Sequence, residues 1–117
     1  MRLDHVALAV SDRERSRAFY GEHFGFAKAV HDDAHLLILR DASGALLALS
    51  DSEPVAADPG TPRTTHFGCR VDTTEEVLAA RERFAAAGVP EAEFEPEGVV
   101  RVQVFDPDGY RVEVYAF

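Results

Sequence analysis

Two histidines and one glutamate have the residue types and positions that a metal site needs. His5 opens the segment His-Val-Ala-Leu-Ala-Val, and His66 opens the similar segment His-Phe-Gly-Cys-Arg-Val. Glu113 places a carboxylate in the middle of an otherwise apolar segment near the end of the chain. Two imidazoles and one carboxylate leave coordination positions open for a substrate. We therefore predict that these three residues hold one divalent ion, which is Fe, Mn, Ni, Co or Zn.

A simpler interpretation of the same residues is structural. A histidine on a strand is more often a hydrogen-bonded or half-exposed side chain than a metal ligand. Ligation is favoured because His5 and His66 occupy the same position of an internal repeat, with Glu113 at a third related position. The position that corresponds to Glu113 in the first half is Ala48, which cannot ligate. The residues by themselves leave both interpretations open.

The elements that would position these residues are repeated along the chain. Each half has the pattern of a strand, a capped helix and three further strands. Residues 11–14, Ser-Asp-Arg-Glu, predict a capping box with Ser11 as the N-cap, and Gly25 predicts the end of that helix. Residues 73–76, Thr-Thr-Glu-Glu, predict a second capping box, and that helix should end at Gly88.

Alternating and apolar segments predict eight strands, four in each half. They cover residues 3–10, 27–31, 36–40, 45–50, 65–71, 92–97, 99–105 and 110–115. Proline and glycine are frequent in residues 51–63, between the two halves, and such a composition is typical of a linker. We predict one α+β domain over residues 1–117, with a first βαβββ module at 1–50, a linker at 51–64 and a second module at 65–117.

The predicted strands have one apolar face, which each helix should cover. The opposite face carries polar groups at His5, His66, Arg101, Gln103, Glu113 and Tyr115. Such a sheet either turns its polar face to solvent or curls around a polar cleft, and the duplication favours the cleft. Arg101, Gln103 and Tyr115 are then candidate substrate-binding residues; otherwise the first two face solvent and Tyr115 packs. No residue is an evident general base.

Composition narrows the class of protein. The chain has 117 residues, 46% of them hydrophobic and 28% charged, as expected for one globular domain. A net charge of −9 without a basic run argues against nucleic acid and anionic membranes as partners. One cysteine, Cys69, excludes an internal disulfide. With no signal peptide or membrane-spanning run, we expect a cytoplasmic protein, and its small core favours an oligomer.

Several segments together resemble the vicinal oxygen chelate superfamily. They are the opening His-Val-Ala-Leu-Ala-Val-Ser-Asp, the aromatic positions Phe19, Tyr20, Phe24 and Phe26 around Gly25, and the ending Asp-Pro-Asp-Gly-Tyr-Arg-Val-Glu. The family includes glyoxalase I, fosfomycin resistance proteins, extradiol dioxygenases, methylmalonyl-CoA epimerase and bleomycin resistance proteins. The resemblance covers essentially the whole chain and implies two βαβββ modules whose mixed sheet curls around a cleft. It also implies metal ligands at His5, His66 and Glu113.

The resemblance leaves three kinds of function open, the last of which is a vestigial domain whose three ligands remain without turnover. The first is a metal-dependent lyase, transferase or dioxygenase that chelates a small oxygen-rich substrate. Glyoxalase I members have a carboxylate where this chain has Ala48, and fosfomycin enzymes have a threonine where it has Ala7, so neither pattern is complete. The second is a metal-free protein that sequesters a small drug-like molecule, as bleomycin resistance proteins do. Those proteins generally lack the three ligands that this chain retains.

Overall fold

The computed structural model describes residues 1–54 and 64–117. The chain divides into two compact units, Met1–Val55 and Ala56–Phe117. Residues 55–63 of the predicted linker lie outside the described residues, and its first residue, Asp51, is the last residue of a strand. No helix in the described part of the chain is long and apolar enough to cross a membrane.

The first unit contains one helix and a four-stranded sheet. Its elements are β1 (His5–Val10), α1 (Arg13–Phe24), β2 (Lys28–Asp32), β3 (Leu37–Arg40) and β4 (Leu46–Asp51). The strand order is β1-β4-β3-β2. Strands β1 and β4 are parallel, and the other pairs are antiparallel.

The second unit repeats this arrangement. Its elements are β5 (Phe67–Arg70), α2 (Thr74–Ala86), β6 (Glu91–Glu95), β7 (Val100–Phe105) and β8 (Arg111–Ala116). The strand order is β5-β8-β7-β6, again with one parallel pair, β5 and β8. The predicted fold class, α+β with two βαβββ modules, is confirmed.

The repeat extends to the register of individual residues. In the first unit Ala48 on β4 lies between Ala7 on β1 and Ile38 on β3. In the second unit Glu113 on β8 lies between Gly68 on β5 and Gln103 on β7. The positions equivalent to Glu113 and Gln103 are therefore apolar in the first unit.

Local capping signals explain where the helices begin. The capping box Thr73–Glu76 is present as predicted, with the Thr73 side chain accepting from the Glu76 N–H. The prediction for α1 is wrong, because its N-cap is Asp12, whose carboxylate accepts from the Arg15 N–H. Ser11 lies one residue too early, and its Oγ instead accepts from Arg15 Nη2 at 2.8 Å. The helix ends at Gly25, as predicted, with φ of 76°.

Each sheet buries its apolar face against the helix of its own unit. Helix α1 turns Ser16 and Tyr20 inward, four residues apart on one helical face. Helix α2 turns Val77, Ala80 and Phe84 inward. The fully buried strand residues are Val10, Leu37, Leu39, Leu47, Leu49, Val102, Val104, Val112 and Ala116. In the second unit these residues alternate with the positions that carry the polar groups, so burial of one face orients the other.

Candidate metal centre

The second unit brings His66 and Glu113 together. Glu113 lies at the centre of β8, and His66 immediately precedes β5, which runs parallel to it. His66 Nε2 is 3.5 Å from Glu113 Oε2. Glu113 is 8% exposed, whereas the His66 side chain is 31% exposed. A nearly buried carboxylate therefore faces an imidazole that solvent can reach.

The second ring nitrogen of His66 determines what Nε2 can do. His66 Nδ1 lies 2.7 Å from the carbonyl oxygen of Thr64. A carbonyl oxygen only accepts hydrogen bonds, so Nδ1 must carry a proton. In the neutral ring, Nε2 then bears a lone pair and lies 3.5 Å from Glu113 Oε2, so both atoms are available as ligands. An Nδ1–H bonded to a backbone carbonyl is common in metal-bound histidine.

Two further side chains approach the same carboxylate oxygen. Gln103 Nε2 donates to Glu113 Oε2 at 3.0 Å, and Arg101 Nε is 3.8 Å from that atom. Because the amide nitrogen must face the carboxylate, the orientation of the Gln103 amide is determined. Gln103 is only 2% exposed, and its Oε1 has no hydrogen-bond partner in the described structure. This unsatisfied acceptor marks a place where a donor group would lower the free energy.

The backbone opposite Glu113 leaves space for its side chain. Gly68 is paired directly with Glu113 across β5 and β8. A Cβ atom at residue 68 would lie 2.7 Å from Glu113 Cγ, 3.0 Å from Glu113 Oε1 and 3.2 Å from Tyr115 Cδ1. Only glycine therefore permits the observed position of the carboxylate. A glycine inside a strand is a sequence signal for such a close approach, but the sequence does not say which group approaches.

The predicted substrate-binding residues share the face of Glu113. Gln103 is paired with Glu113, and Arg101 is paired with Tyr115, across β7 and β8. The interpretation that this face is open to solvent is wrong at its centre, where Gln103 and Glu113 are buried. Arg101 Nη2 also donates to Glu93 Oε1 at 3.2 Å. Sequence reasoning missed Glu93, although the alternating glutamates of β6 were a signal for an acidic face beside Arg101. Substrate contact by Arg101, Gln103 and Tyr115 stays a prediction.

The third predicted ligand lies in the first unit. His5 begins β1, its side chain is 64% exposed, and its Nδ1 is 3.4 Å from Asp4 Oδ1. Within neither unit do the described residues gather three or more His, Cys, Asp or Glu side chains that could hold a metal ion. His5 as the third ligand stays a prediction.

The donor set fits a divalent transition metal. Imidazole nitrogen and carboxylate oxygen are common ligands of zinc, iron, manganese, cobalt and nickel. The site has a formal charge of −1 when His66 is neutral, from the side chains of Glu93, Glu113 and Arg101. A bound dication would change this charge to +1. Such a residual charge suits an oxygen-rich or anionic ligand.

Comparisons with known proteins agree with this fold. The sequence model of the Glyoxalase/Bleomycin resistance protein/Dioxygenase superfamily matches residues 2–114. The trivalent organoarsenical cleaving enzyme of Bacillus sp. (strain MD1) is 30% identical over 89 residues, which are 76% of this chain and 53% of the relative. The chain therefore spans about half the length of this curated relative.

Solved structures superpose over nearly the whole chain. Lactoylglutathione lyase from Agrobacterium tumefaciens has a TM-score of 0.76 and 27% identity, covering 98% of this chain and 92% of that one. The fosfomycin resistance protein FosX from Listeria monocytogenes, in complex with Mn(II) and sulfate, has a TM-score of 0.81 and 21% identity, covering 98% and 89%. At the latter identity the likeness shows the fold alone.

Proposed function

The chain belongs to the Glyoxalase/Bleomycin resistance protein/Dioxygenase superfamily, and from this premise we propose that it is a divalent-metal-dependent enzyme acting on a small oxygen-rich substrate. One observation carries the proposal. His66 Nε2 and Glu113 Oε2 face each other at 3.5 Å, while the proton on the other imidazole nitrogen is held by the Thr64 carbonyl. This is the protonation pattern that a histidine ligand requires. His5 would be the third ligand.

The bound metal would act as a Lewis acid that polarises the oxygen atoms of the substrate. The chain's own residues prepare the site for it. Gln103 orients the Glu113 carboxylate through its amide N–H, and Gly68 leaves room for that carboxylate. Arg101, held by Glu93, places a positive charge beside the site, where it would attract the polar groups of the substrate.

Three similar proteins support an enzymatic function without selecting a reaction. One similar chain is named as a lyase, and another as an organoarsenical cleaving enzyme. A third was solved with Mn(II), which supports a divalent metal in this fold. Ala48 offers no carboxylate where glyoxalase I has one, so the proposal includes lyase, transferase and dioxygenase reactions that need no base at this position.

Metal stoichiometry of protein purified without a histidine tag tests the proposal. We expect about one transition metal per chain, measured by elemental analysis after supply of Fe, Mn, Ni, Co and Zn separately. His66→Ala and His5→Ala should abolish stoichiometric binding, and Glu113→Gln should weaken it. The matched control is His31→Ala, because His31 is an exposed histidine whose partner is Asp33. Failure of the parent protein to take up any of the five metals would overturn the proposal.

A metal-free binding protein of the bleomycin resistance type is the second candidate. The favouring observation is that Glu113 already has Gln103 and Arg101 beside it, so its charge is partly balanced without a metal. The unpartnered Gln103 Oε1 would then accept from a donor group of the bound molecule. Absence of metal uptake, together with saturable binding of a small molecule in a ligand screen, would decide for this candidate.

We further propose that the protein is a cytoplasmic homodimer. Several large apolar side chains are exposed on the isolated chain: Met1, Leu3, Val30, Leu78, Val99 and Phe117. Association would cover part of this surface. Sedimentation equilibrium at several concentrations measures the mass directly, and a single-chain mass throughout would contradict the dimer. The cytoplasmic location stays a prediction from the sequence.

A further inference from the structure

Most basic side chains of the described residues have a partner. Eight arginines contact a carboxylate, a carbonyl, a hydroxyl or an aromatic ring: Arg13, Arg15, Arg17, Arg70, Arg81, Arg83, Arg101 and Arg111. The side chains of Arg2, Lys28 and Arg40 have no such partner among the described residues. Arg2 lies in the exposed N-terminal segment, whereas Lys28 and Arg40 lie within the sheet of the first unit.

The two unpartnered cations of the sheet are next to each other. Lys28 on β2 is directly opposite Arg40 on the antiparallel strand β3. Side chains of directly opposed residues lie on the same face, and like charges at such positions destabilise the sheet. In a chain of net charge −9, with 21 acidic residues, a carboxylate partner would be easy to supply. Both residues are exposed, so an anion from solution can reach the pair.

A cavity lies beside this pair. It has a volume of about 470 Å³ and is formed entirely by residues of the first unit. Both Lys28 and Arg40 line it. Much of the remaining wall consists of small residues that leave the space open: Gly25, Ala27, Ala42 and Gly44. The volume is sufficient for a small organic ligand.

One acidic residue also lines the cavity, but its carboxylate is engaged in the adjoining turn. Asp41 Oδ1 accepts from the Ser43 N–H at 2.9 Å, the Ser43 hydroxyl at 2.7 Å and the Ala45 N–H at 2.9 Å. Two cations and one anion give the lining a net charge of +1. The cavity is thus locally positive in an acidic protein, and it would attract anions.

We propose that this cavity binds the phosphate group of a small molecule between Lys28 and Arg40. The guanidinium of Arg40 matches two phosphate oxygens with parallel N–H groups, and the Lys28 ammonium adds a point charge. A carboxylate carries one negative charge and would balance only one of the two cations. A phosphate dianion carries two negative charges and balances both. Binding would also relieve the repulsion between the two side chains. The site is independent of the proposed metal centre, since it uses none of that centre's residues.

The sequence makes the site easy to observe, because Lys28 is the chain's only lysine. Reductive methylation with ¹³C-formaldehyde keeps the positive charge and labels Lys28 and the N-terminal amine. Inorganic phosphate, titrated at constant ionic strength with chloride as the balancing anion, should shift the Lys28 methyl signal saturably. Arg40→Gln should weaken the phosphate affinity by about tenfold or more. Arg2→Gln, which removes an unpartnered arginine outside the cavity, should leave it unchanged.

Thermal unfolding gives a second readout. Phosphate should raise the Tm of the parent protein and of His66→Ala, but not that of Arg40→Gln or Lys28→Gln. Without phosphate, both cavity variants should unfold at the same temperature as the parent or higher, because the cation pair is removed. Tighter binding of glycerol 2-phosphate than of inorganic phosphate would identify a phosphorylated molecule as the ligand; the reverse would identify free phosphate. Equal phosphate effects on the parent and on Arg40→Gln would overturn the proposal.

Discussion

Replacing Gly68 by alanine should weaken metal binding through the position of Glu113. The added Cβ would lie 2.7 Å from Glu113 Cγ, whereas ordinary contacts begin at 3.4 Å, so the glutamate side chain must retreat by about 0.7 Å. Metal–ligand distances tolerate deviations of only about 0.2 Å. Loss of a group that orients a metal ligand lowers metal affinity by about 10- to 100-fold. We expect a loss of the same size when Gly68→Ala displaces the carboxylate.

The same substitution should lower the stability of the metal-free protein, because two opposing effects nearly offset each other only at one end of their ranges. Alanine gains about 0.5–1 kcal/mol over glycine in a strand, while overpacking costs about 1–3 kcal/mol. The net change in the free energy of unfolding of the metal-free protein is therefore a loss of between about zero and 2.5 kcal/mol. In a Glu113→Ala background the main obstruction is absent, so Gly68→Ala should destabilise less there. A double-mutant cycle measured by urea unfolding isolates this coupling.

Titration calorimetry with one metal, on parent and variant proteins, measures the affinity. The matched control is Gly21→Ala in α1, where a Cβ would have an ordinary contact of 3.6 Å with the Phe26 carbonyl oxygen. It should stabilise the helix by about 1 kcal/mol and leave metal affinity unchanged. The reasoning is refuted if Gly68→Ala binds metal as tightly as the parent, or if the double-mutant cycle shows no coupling.

Three further outcomes are expected. Gln103→Leu removes the amide donor to a buried carboxylate and should lower the free energy of unfolding by about 1–3 kcal/mol, measured with urea. The backbone N–H of His35 is the main cause that lowers the pKa of Asp33 from 3.8 to about 2. Stability from Asp33 is then full above pH 3.8 and lost as the pH falls towards 2, so Asp33→Asn should flatten the Tm profile there. Asp12→Ala should cost about 1 kcal/mol in urea unfolding, and Ser11→Ala clearly less.

Contrary results are equally specific. An unchanged urea midpoint for Gln103→Leu would mean that water replaces the amide. The same acid profile for Asp33→Asn as for the parent would remove Asp33 from the acid transition. Equal losses for Asp12→Ala and Ser11→Ala would mean that the N-cap of α1 is shared between the two residues.

Features that depend on neighbouring residues in the chain could be predicted from the sequence. The capping box Thr73–Glu76 and the end of α1 at Gly25 were predicted correctly, because the atoms involved are at most a few residues apart. Alternation also predicted that Gln103 and Glu113 share one face of the sheet. The duplicated pattern then determined the fold class. The choice between Ser11 and Asp12 failed, since both residue types cap helices equally well.

The tertiary structure decided which of these residues touch. Alternation assigns a side chain to a face, but strand order and register decide its neighbours, and both depend on contacts far apart in the chain. The placement of β8 between β5 and β7 puts Gly68 and Gln103 on either side of Glu113. Burial of the opposite, apolar face against α2 holds that register. The carboxylate therefore has its space, its amide donor and its facing histidine only after the sheet of the second unit has assembled.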